Sequence, residues 1–566
     1  MKHYALALLV AMGFFVGCSA LQPTASSGVD TLYVNGHIYT GEAGTPWASA
    51  VGVKDGRFVY VGNAQGAKAL EGKAAQVVDL KGQTVVPGLY DSHIHPIAAG
   101  EDKLFKCNFS QEASLEEILK TVSVYAKKAE PGSWVVGGRW SPSILPKINK
   151  EILDKVSHGH PVVLSDFSNH TLWVNSLAIE AAGITEADAK AHGDLVQRDA
   201  HGEMTGVFLE AATELISSKV PGRTKKERDL ALAYALKTLN GFGVIGVKDS
   251  YAGEAELATY SRRDAKGLLT ARVAAALSWD KGPEGETFAE RKERIKRIRK
   301  IKSSHVRTAF AKISIDGIPP TKTAAMIDPY HPESEGHRGM FTMSEEDFIR
   351  DVIWLDAQGL SVKVHAVGDR GARLCLNAFE AAQVKNGSRA QRHEVAHACI
   401  LAPEDVARFG ELNVTPDLSP VLWYPGPLFD GMIALLGEER TKNYCPVVDF
   451  LKSGAHPTLG TDWPVSATVN PWVAIEALVT RENPYGKVPG KTAAPAQKIS
   501  LEEALSLATI NGARAQGLEK ESGSIAVGKT ADFVVLNQNI FEILPQKIGD
   551  TQVLTTVFEG QVVFER

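Results

Sequence analysis

The chain has little cysteine and no second long apolar segment. Its 566 residues include five cysteines, and the four after Cys18 form no Cys-x-x-Cys pair and no small-scaffold spacing. Any disulfide pairing among them stays open. Beyond the apolar run near the N-terminus, nothing is long and apolar enough for a transmembrane helix. The net charge of −5 excludes a basic bias for nucleic acid, and 44% hydrophobic residues suit large buried cores.

The N-terminal segment has the features of an export signal. An apolar run over residues 5–15 follows basic residues and is too short to span a bilayer permanently. Gly17 before Cys18 resembles a bacterial lipobox, at which Cys18 is acylated and becomes the mature N-terminus. Ser19 resembles the pattern that directs lipoproteins to the outer membrane. An ordinary signal, cleaved beside an incidental cysteine, is the alternative.

Two histidines, His93 and His95, close an apolar run that ends in a proline. If the run is a strand, side chains at i and i+2 leave the same face, so both imidazoles point at one spot. That arrangement suits a shared metal ion. Two core histidines with satisfied hydrogen bonds would give the same pattern, so the pair alone does not decide.

Matching strand ends follow along the chain. Short segments with alternating apolar residues end near Lys312, His365, His397 and Asp462, and helical stretches separate them. Strands alternating with helices predict a parallel sheet, and in a closed (β/α)₈ barrel the C-terminal strand ends converge on one pocket. We therefore predict a TIM-like barrel with a metal site at that end. Taken singly, Lys312 could line a solvated barrel mouth and Asp462 could cap a turn.

The ordered set of motifs resembles the amidohydrolase superfamily, and within it the family 3 metal-dependent hydrolases that include N-substituted formamide deformylase. The resemblance covers nearly all of the chain after the leader. The motifs that carry it are VVPGLYDSHIHP, KISIDG, VHAVGD, VAHA, LGTDWPV, NHTLWVNSLAIEAAGIT, HGEMTGVFLEAA and GSIAVGKTADFVVL. Two departures concern the expected substrate pocket: Ala396 replaces the usual Glu before the sixth-strand histidine, and residues 415–417 replace a common Gln-Pro.

The resemblance implies roles for the predicted ligands. Two zinc ions per chain would be held by the four histidines, Asp462 and a CO₂-derived carbamate on Lys312. An unmodified lysine, with an ordinary pKa of about 10.4, is a cation at neutral pH and cannot ligate. Asp462 would be the catalytic residue, since it can accept a proton from the attacking hydroxide and return it to the leaving nitrogen.

Residues near the expected pocket have two interpretations each. His170, Trp173 and Asn175, together with Asp417, are the candidates for substrate binding. The Asn-His pair could equally cap the following helix. Trp423, Tyr424 and Trp463 suit an apolar substrate group or packing at the barrel rim. Two further polar residues on these strands, Lys363 and His393, are not assigned to the metal. Asp316 and Asp369 could each hold a ligand histidine in one orientation, or could stabilise a loop turn.

Both chain ends alternate in short β segments with Gly and Asn turns, and neither has enough strands for a sandwich. We expect them to pair into one discontinuous β-sandwich. A basic run over residues 291–302 carries isoleucines at helical spacing and predicts an outer barrel helix, with a membrane-surface role as the alternative. The predicted parts are a signal peptide and lipobox (1–18), a tether (19–28), the sandwich (29–86 and 522–566), and the barrel (87–521) with a lid-like insertion at about 100–240.

The sequence thus predicts a metal-dependent hydrolase that cleaves an amide, N-acyl, N-formyl or cyclic amide C–N bond by metal-activated hydroxide. An ester or lactone hydrolase with the same site is one alternative, and a non-catalytic binding or regulatory lipoprotein on this fold is another. The expected partners are a small-molecule substrate and, through Cys18, the bacterial outer membrane, with the protein facing the periplasm. Nucleic acid is not expected. The oligomeric state stays open, with a homodimer as one option.

Overall fold

The computed structural model describes residues 28–110, 113–166, 171–280, 286–331 and 336–566. The predicted signal peptide, Cys18, nearly all of the tether and His170 lie outside these residues. Within the described ranges, no helix is both long and apolar enough to cross a membrane.

The strands of the described residues are numbered in chain order. They are β1 Val29–Val34, β2 His37–Tyr39, β3 Trp47–Ala48, β4 Ala50–Lys54, β5 Arg57–Gly62, β6 Ala74–Asp79, β7 Thr84–Pro87, β8 Leu89–Ile94, β9 Cys107–Asn108, β10 Val135–Trp140, β11 Val162–Asp166, β12 Thr171–Val174, β13 Val196–Arg198, β14 Met204–Leu209, β15 Val244–Ala252, β16 Arg272–Ser278, β17 Val306–Ser314, β18 Ser361–His365, β19 Glu394–Ala396, β20 Thr415–Leu418, β21 Thr458–Leu459, β22 Phe533–Leu536, β23 Val553–Phe558 and β24 Gln561–Glu565.

The α-helices are numbered in the same way. They are α1 Ala64–Glu71, α2 Pro96–Phe105, α3 Leu115–Ala126, α4 Lys150–Asp154, α5 Ser176–Ala182, α6 Glu186–Ala191, α7 Glu214–Ser217, α8 Lys225–Gly241, α9 Glu254–Asp264, α10 Phe288–Ile298, α11 Glu345–Ala357, α12 Asp369–Asn386, α13 Pro403–Glu411, α14 Pro427–Leu436, α15 Glu438–Thr441, α16 Val447–Lys452, α17 Pro471–Thr480, α18 Leu501–Ala508 and α19 Ile510–Ala515. Four of them begin with a capping box, in which an N-cap hydroxyl and a Glu three residues later each accept a backbone N–H, at Ser114, Thr224, Thr287 and Ser500.

Eight parallel strands form the barrel, in the order β8-β15-β16-β17-β18-β19-β20-β21. Their residues are almost all buried, as expected for strands covered by helices outside and packed side chains inside. The seam between the last and first strands is closed by the Asp462 N–H donating to His93 O (2.6 Å) and the His95 N–H donating to Trp463 O (2.9 Å). The predicted (β/α)₈ fold is confirmed.

The two chain ends form one β-sandwich, as predicted. One sheet has the order β5-β4-β1-β6, and the other has the order β24-β23-β22-β7-β2-β3. The ends join where β22 pairs antiparallel with β7, with Val534 opposite Val86. A core between the sheets includes Ile38, Phe58 and Phe533, all at most 1% exposed.

The predicted inserted subdomain lies between α2 and α8. Its six-stranded sheet has the order β13-β14-β12-β11-β10-β9 and has a separate apolar core on each face. Helices α2 and α8, which flank the insertion in sequence, pack closely on each other. A Cβ at Gly100 would lie 2.0 Å from Ala231 O, so only glycine permits this approach. The insertion is thereby fixed to the barrel at its base.

Candidate metal centre and active site

His93, His95 and Asp462 converge at the C-terminal ends of the first and last barrel strands. Asp462 Oδ1 lies 3.3 Å from His95 Nε2 and 3.7 Å from His93 Nε2. One ligand atom from each residue lies within 4.8 Å of the others. Asp462 has a left-handed backbone (φ +57), and its N–H is held by His93 O, which turns the carboxylate toward the histidines. Two imidazoles and one carboxylate in this arrangement fit a divalent metal ion.

The other three predicted ligands adjoin this cluster. The His397 ring centroid lies 4.7 Å from that of His93 and 4.8 Å from that of His365. His397 Nε2 lies 4.0 Å from Asp462 Oδ2. Lys312, on β17, is 2% exposed, and its charge acts on His93, His397 and Asp462. The six residues thus line one pocket at the barrel mouth.

The electrostatics favour the protonation states that metal binding needs. Burial, reinforced by the charges of Lys312 and Lys363, holds the pKa of His93 well below its ordinary value. Burial and neighbouring His365 do the same for the pKa of His397. Both imidazoles are therefore neutral at pH 7 and keep a lone pair for a cation.

Asp462 and Lys312 are shifted in ways that suit the same site. Burial opposes ionisation of Asp462, but the hydrogen bond with His95 and the positive charge of Lys312 hold its pKa below the ordinary value. It is a carboxylate at neutral pH. Burial, with the charge of Lys363, lowers the pKa of Lys312 to about 8, against the attraction of Asp462.

Asp417 lies beneath the metal centre, and its predicted role in substrate binding is corrected. It has no exposed surface, and its Oδ2 accepts hydrogen bonds from His93 Nδ1 (2.8 Å) and Lys363 Nζ (2.6 Å). Thr458 donates to Oδ1 (3.1 Å). Because its oxygens face the barrel interior, Asp417 orients His93, leaving Nε2 of that ring for the cation.

The contacts of Asp417 continue into a chain of buried charges. Lys363 Nζ also donates to Glu394 Oε2 (2.9 Å) and to Ser92 O (3.1 Å). Glu394 Oε1 in turn accepts from Lys248 Nζ, which also donates to Ala515 O (3.0 Å). Two cations and two carboxylates thus balance. We call Lys248, Glu394, Lys363 and Asp417 the buried network.

The signal for this network in the amino-acid sequence is weak. Lys363 lies two residues before His365 and therefore shares its inward face, but that parity does not tell how deep a side chain reaches. His393 packs away from the centre: its Nδ1 accepts the Val362 N–H and its ring stacks on Phe379. Strand periodicity shows which residues point into the barrel. It does not show how far below the mouth each of them lies, because that depends on how neighbouring strands are staggered.

Trp173 and Asn175 are also corrected, because both belong to the framework of the insertion. Asn175 Oδ1 accepts the N–H groups of Val162 and Ala178, and its Nδ2 donates to His160 O. It is the N-cap of α5, which was the alternative interpretation. Trp173 is fully buried and donates to Asn149 O (2.8 Å).

Two acidic candidates hold loops, and two aromatic candidates pack against other side chains. Asp316 accepts the N–H groups of Ala325, Val367 and Gly368, and Asp369 accepts those of Ile327 and Arg370. Trp423 is 2% exposed, and Cζ of Arg481 lies 4.1 Å from the centroid of its ring. Tyr424 lies beside Tyr485. Asp316 and Asp369 therefore stabilise loop turns, and the aromatic pair packs at the rim.

Two further features stabilise the pocket walls. Arg139, on β10 of the insertion, donates to Pro464 O and Val465 O (both 3.3 Å), in the loop that follows Asp462. It does so from a left-handed backbone (φ +77) at an irregularity of the strand. A disulfide joins Cys399, two residues after His397, to Cys445. The insertion and the sixth-strand loop are thus both held beside predicted metal ligands.

The site and fold agree with comparisons to known proteins. The model of the amidohydrolase family matches residues 76–564. This chain belongs to the amidohydrolase family. It is therefore a hydrolase, and its His-His-Asp cluster has the ligand atoms and spacing that could hold a divalent metal ion.

Relatives of this amidohydrolase align over almost its whole length. It is 29% identical to the protein LONG AFTER FAR-RED 3 of Arabidopsis thaliana, over 96% of this chain and 93% of that protein. It is 28% identical to an N-substituted formamide deformylase of Arthrobacter pascens, over 95% and 98%. An uncharacterised metal-dependent hydrolase from Pyrococcus horikoshii has the same fold, with a TM-score of 0.75 and 23% identity over 91% of this chain and 99% of that one.

Proposed function

We propose that this amidohydrolase cleaves a C–N bond of a small molecule, in an amide, N-acyl, N-formyl or cyclic amide group. The position and charge of Asp462 carry the proposal. An amine leaves only when its nitrogen is protonated, so the site needs a group that gains a proton during attack and gives it up afterwards. A buried carboxylate among three metal-binding imidazoles suits that task. The deformylase activity of the Arthrobacter relative makes N-formyl compounds the first class to test.

We infer that the metal is zinc, with two ions per chain. The cluster of His93, His95 and Asp462 offers one set of ligands, and His365, His397 and Lys312 offer donors for a second ion. Zinc lowers the pKa of bound water to about 7 and polarises a carbonyl oxygen. Asp462 Oδ would accept the proton of the attacking water and hand it to the leaving nitrogen.

We propose that Lys312 carries a carbamate. Its ammonium would first give up one proton, and the neutral Nζ would then bond to the carbon of CO₂ and lose a second proton, which converts a buried cation into an anion. Within the described residues, Lys312 makes no ion pair, while both cation sites beside it need negative charge. Lys312→Ala should weaken metal binding, and short carboxylic acids should partly restore activity. A bare lysine by intact mass, with two metals bound, would disprove the carbamate.

The decisive experiment combines metal analysis with a substrate panel. Purified protein should carry up to two zinc ions and should hydrolyse members of a series of N-formyl, N-acyl and cyclic amides, with matched esters and lactones as comparison. Asp462→Asn should keep the fold and lose most turnover, about 100-fold or more. The exposed Asp430→Asn is the matched control and should be fully active. Full activity of Asp462→Asn, or of metal-stripped protein, would exclude the mechanism.

We propose that the protein is anchored through Cys18 to the outer membrane and faces the periplasm. The short apolar run, the Gly17-Cys18 junction and the polar tether support this, because together they offer an export signal, an acylation site and slack. Metabolic labelling with a fatty-acid analogue should mark the wild type and not Cys18→Ser. Equal label on both chains would reject the anchor without affecting the hydrolase.

A further inference from the structure

The basic run forms an open groove on the outside of the barrel. Ile295 and Ile298 of α10 are buried against the barrel, so the helix presents its charged face outward. The groove holds about 590 Å³. Its charged lining comprises one acid and five bases: Glu293, Lys296, Arg297, Arg299, Lys300 and Lys302.

The cations differ in how far they are neutralised. Lys296 pairs with Glu293 (2.8 Å), and Arg297 pairs with Glu254 (2.7 Å). Arg299 donates to a backbone carbonyl. In the part of the chain that the structure describes, neither Lys300 nor Lys302 has a carboxylate within 4.0 Å, and both are exposed. The groove therefore carries excess positive charge in a protein whose net charge is −5.

Contacts place this groove on the face of the barrel opposite the active site. Residues 299–305 lead into the N-terminal end of β17, whereas the metal ligands lie at the C-terminal strand ends. Just after Lys302, His305 Nε2 lies 3.2 Å from Glu559 Oε2 of the sandwich. The Glu559 turn abuts Gly56, where a Cβ would lie 2.8 Å from Glu559 O.

The described chain begins on the same face. The N–H of Asp55, next to Gly56, donates to Asp30 Oδ2 (2.7 Å), and Asp30 is two residues after Gly28. Nine residues lie between Cys18 and Gly28, so the ten steps of chain from one to the other span at most about 35 Å when fully extended. If Cys18 is the lipid anchor, as proposed above, the tether holds this face near the bilayer.

We propose that the basic groove docks on the phosphates of an anionic membrane surface and thereby points the active-site mouth away from the bilayer. The match is one of charge and position: cations without a carboxylate partner lie on the face from which the tether leaves the body. Each Lys or Arg near such a surface strengthens binding about fivefold. The short tether also keeps the groove at high local concentration, so individually weak contacts are sufficient.

The test measures how close each face of the full chain lies to lipid. An environment-sensitive dye is attached at Ser304→Cys beside the groove or, in a second protein, at Val465→Cys by the mouth; both positions are exposed. The proteins are mixed with vesicles of phosphatidylcholine alone, or with added phosphatidylglycerol, that carry a lipid-bound quencher. We expect strong quenching of the dye at residue 304 only with the anionic lipid, and weak quenching of the dye at residue 465 with either lipid. At 1 M salt, where the screening length is about 3 Å, the stronger quenching at residue 304 should disappear.

Charge-reversal variants complete the test. Lys300→Glu with Lys302→Glu should remove the preference of the 304 label for anionic vesicles, by about 25-fold or more in partitioning. Lys225→Glu with Lys226→Glu, an exposed pair at the start of α8, should leave it unchanged. Equal quenching with both lipids, or an unaltered preference in the groove variant, overturns the proposal.

Failure of the anchor would be recognised separately. An unlipidated chain takes up no fatty-acid label, but its groove should still select anionic over neutral vesicles. An unlipidated chain without that selection would reject both proposals. Selective binding of a nucleic acid duplex with no response to the vesicles would assign the groove to another polyanion and also overturn the membrane proposal.

Discussion

Replacing Lys363 by Met tests the buried network most directly. Lys363 has no exposed side-chain surface, and its ammonium donates to Asp417, Glu394 and the Ser92 carbonyl. Methionine fills a similar volume but supplies no charge and no donor. The variant would leave two buried carboxylates with one cation, Lys248. Removing one member of a buried ion pair costs about 3–5 kcal/mol, so the metal-free protein should lose stability of that order.

The same change should weaken metal binding through His93. Asp417 Oδ2 accepts hydrogen bonds from both Lys363 and His93 Nδ1. Without Lys363, the carboxylate that orients this imidazole loses its charged hydrogen-bond donor. Loss of such an orienting contact lowers metal affinity about 10–100-fold. Chelator competition measures the affinity, and urea unfolding of the metal-free protein measures the stability. The exposed Lys520→Met is the matched control.

A second substitution separates the two effects. Lys363→Met with Glu394→Gln leaves one cation, Lys248, and one carboxylate, Asp417. This balance should recover about 1–3 kcal/mol of stability relative to the single variant. Metal affinity should stay low, because Asp417 still lacks Lys363. If Lys363→Met binds zinc within about threefold of the wild type, the network does not orient His93 and its role is confined to packing.

Two further predictions concern the interfaces around the barrel. His305 hydrogen-bonds Glu559 of the sandwich and Asp264 of α9, and these contacts raise its pKa to about 9. Its charged form is thus stabilised by folding, so the contribution is full below about pH 6.5 and is lost as the pH rises through about 9. His305→Gln should lower the urea midpoint at pH 6 and leave it nearly unchanged above pH 9; an equal loss at both would contradict the assignment. Arg139→Ala should release the loop after Asp462 from the insertion and reduce kcat about tenfold, with zinc content unchanged, because Arg139 touches no metal ligand. A variant with wild-type kcat would show that the loop holds its position alone. Arg139→Lys should recover little because an ammonium lacks the rigid planar guanidinium that places Nη2 between the two loop carbonyls.

The barrel and its ligands were accessible from sequence because both depend on short-range order. Each ligand follows a run of alternating apolar residues, and the fold brings all such strand ends to one rim, so His93, Lys312, His365 and Asp462 could be grouped without knowing any angle. The resemblance to a known family added the role expected of each.

The misplaced residues share one cause. Trp173, Asn175 and Asp417 are polar or aromatic residues near signature motifs, and their sequence context does not tell whether their hydrogen-bonding groups are used within the protein. The side-chain amide of Asn175 is used by the first residue of β11, by the start of α5 and by the His160 carbonyl, and Asp417 lies one layer below the pocket. Such facts depend on strand stagger and on contacts between segments far apart in sequence, which local patterns do not encode.

The pairing of β7 with β22 has a consequence for biosynthesis. Strand β7, Thr84–Pro87, finds one of its two neighbours only in Phe533–Leu536. The ribosome must add about 450 residues between them, which takes about 20–90 s at common elongation rates. During that interval an apolar strand edge stays open, and unpaired edges of this kind recruit other chains. A nascent chain that stops anywhere within the barrel never closes this edge, so truncated products should aggregate even when every metal ligand has been made.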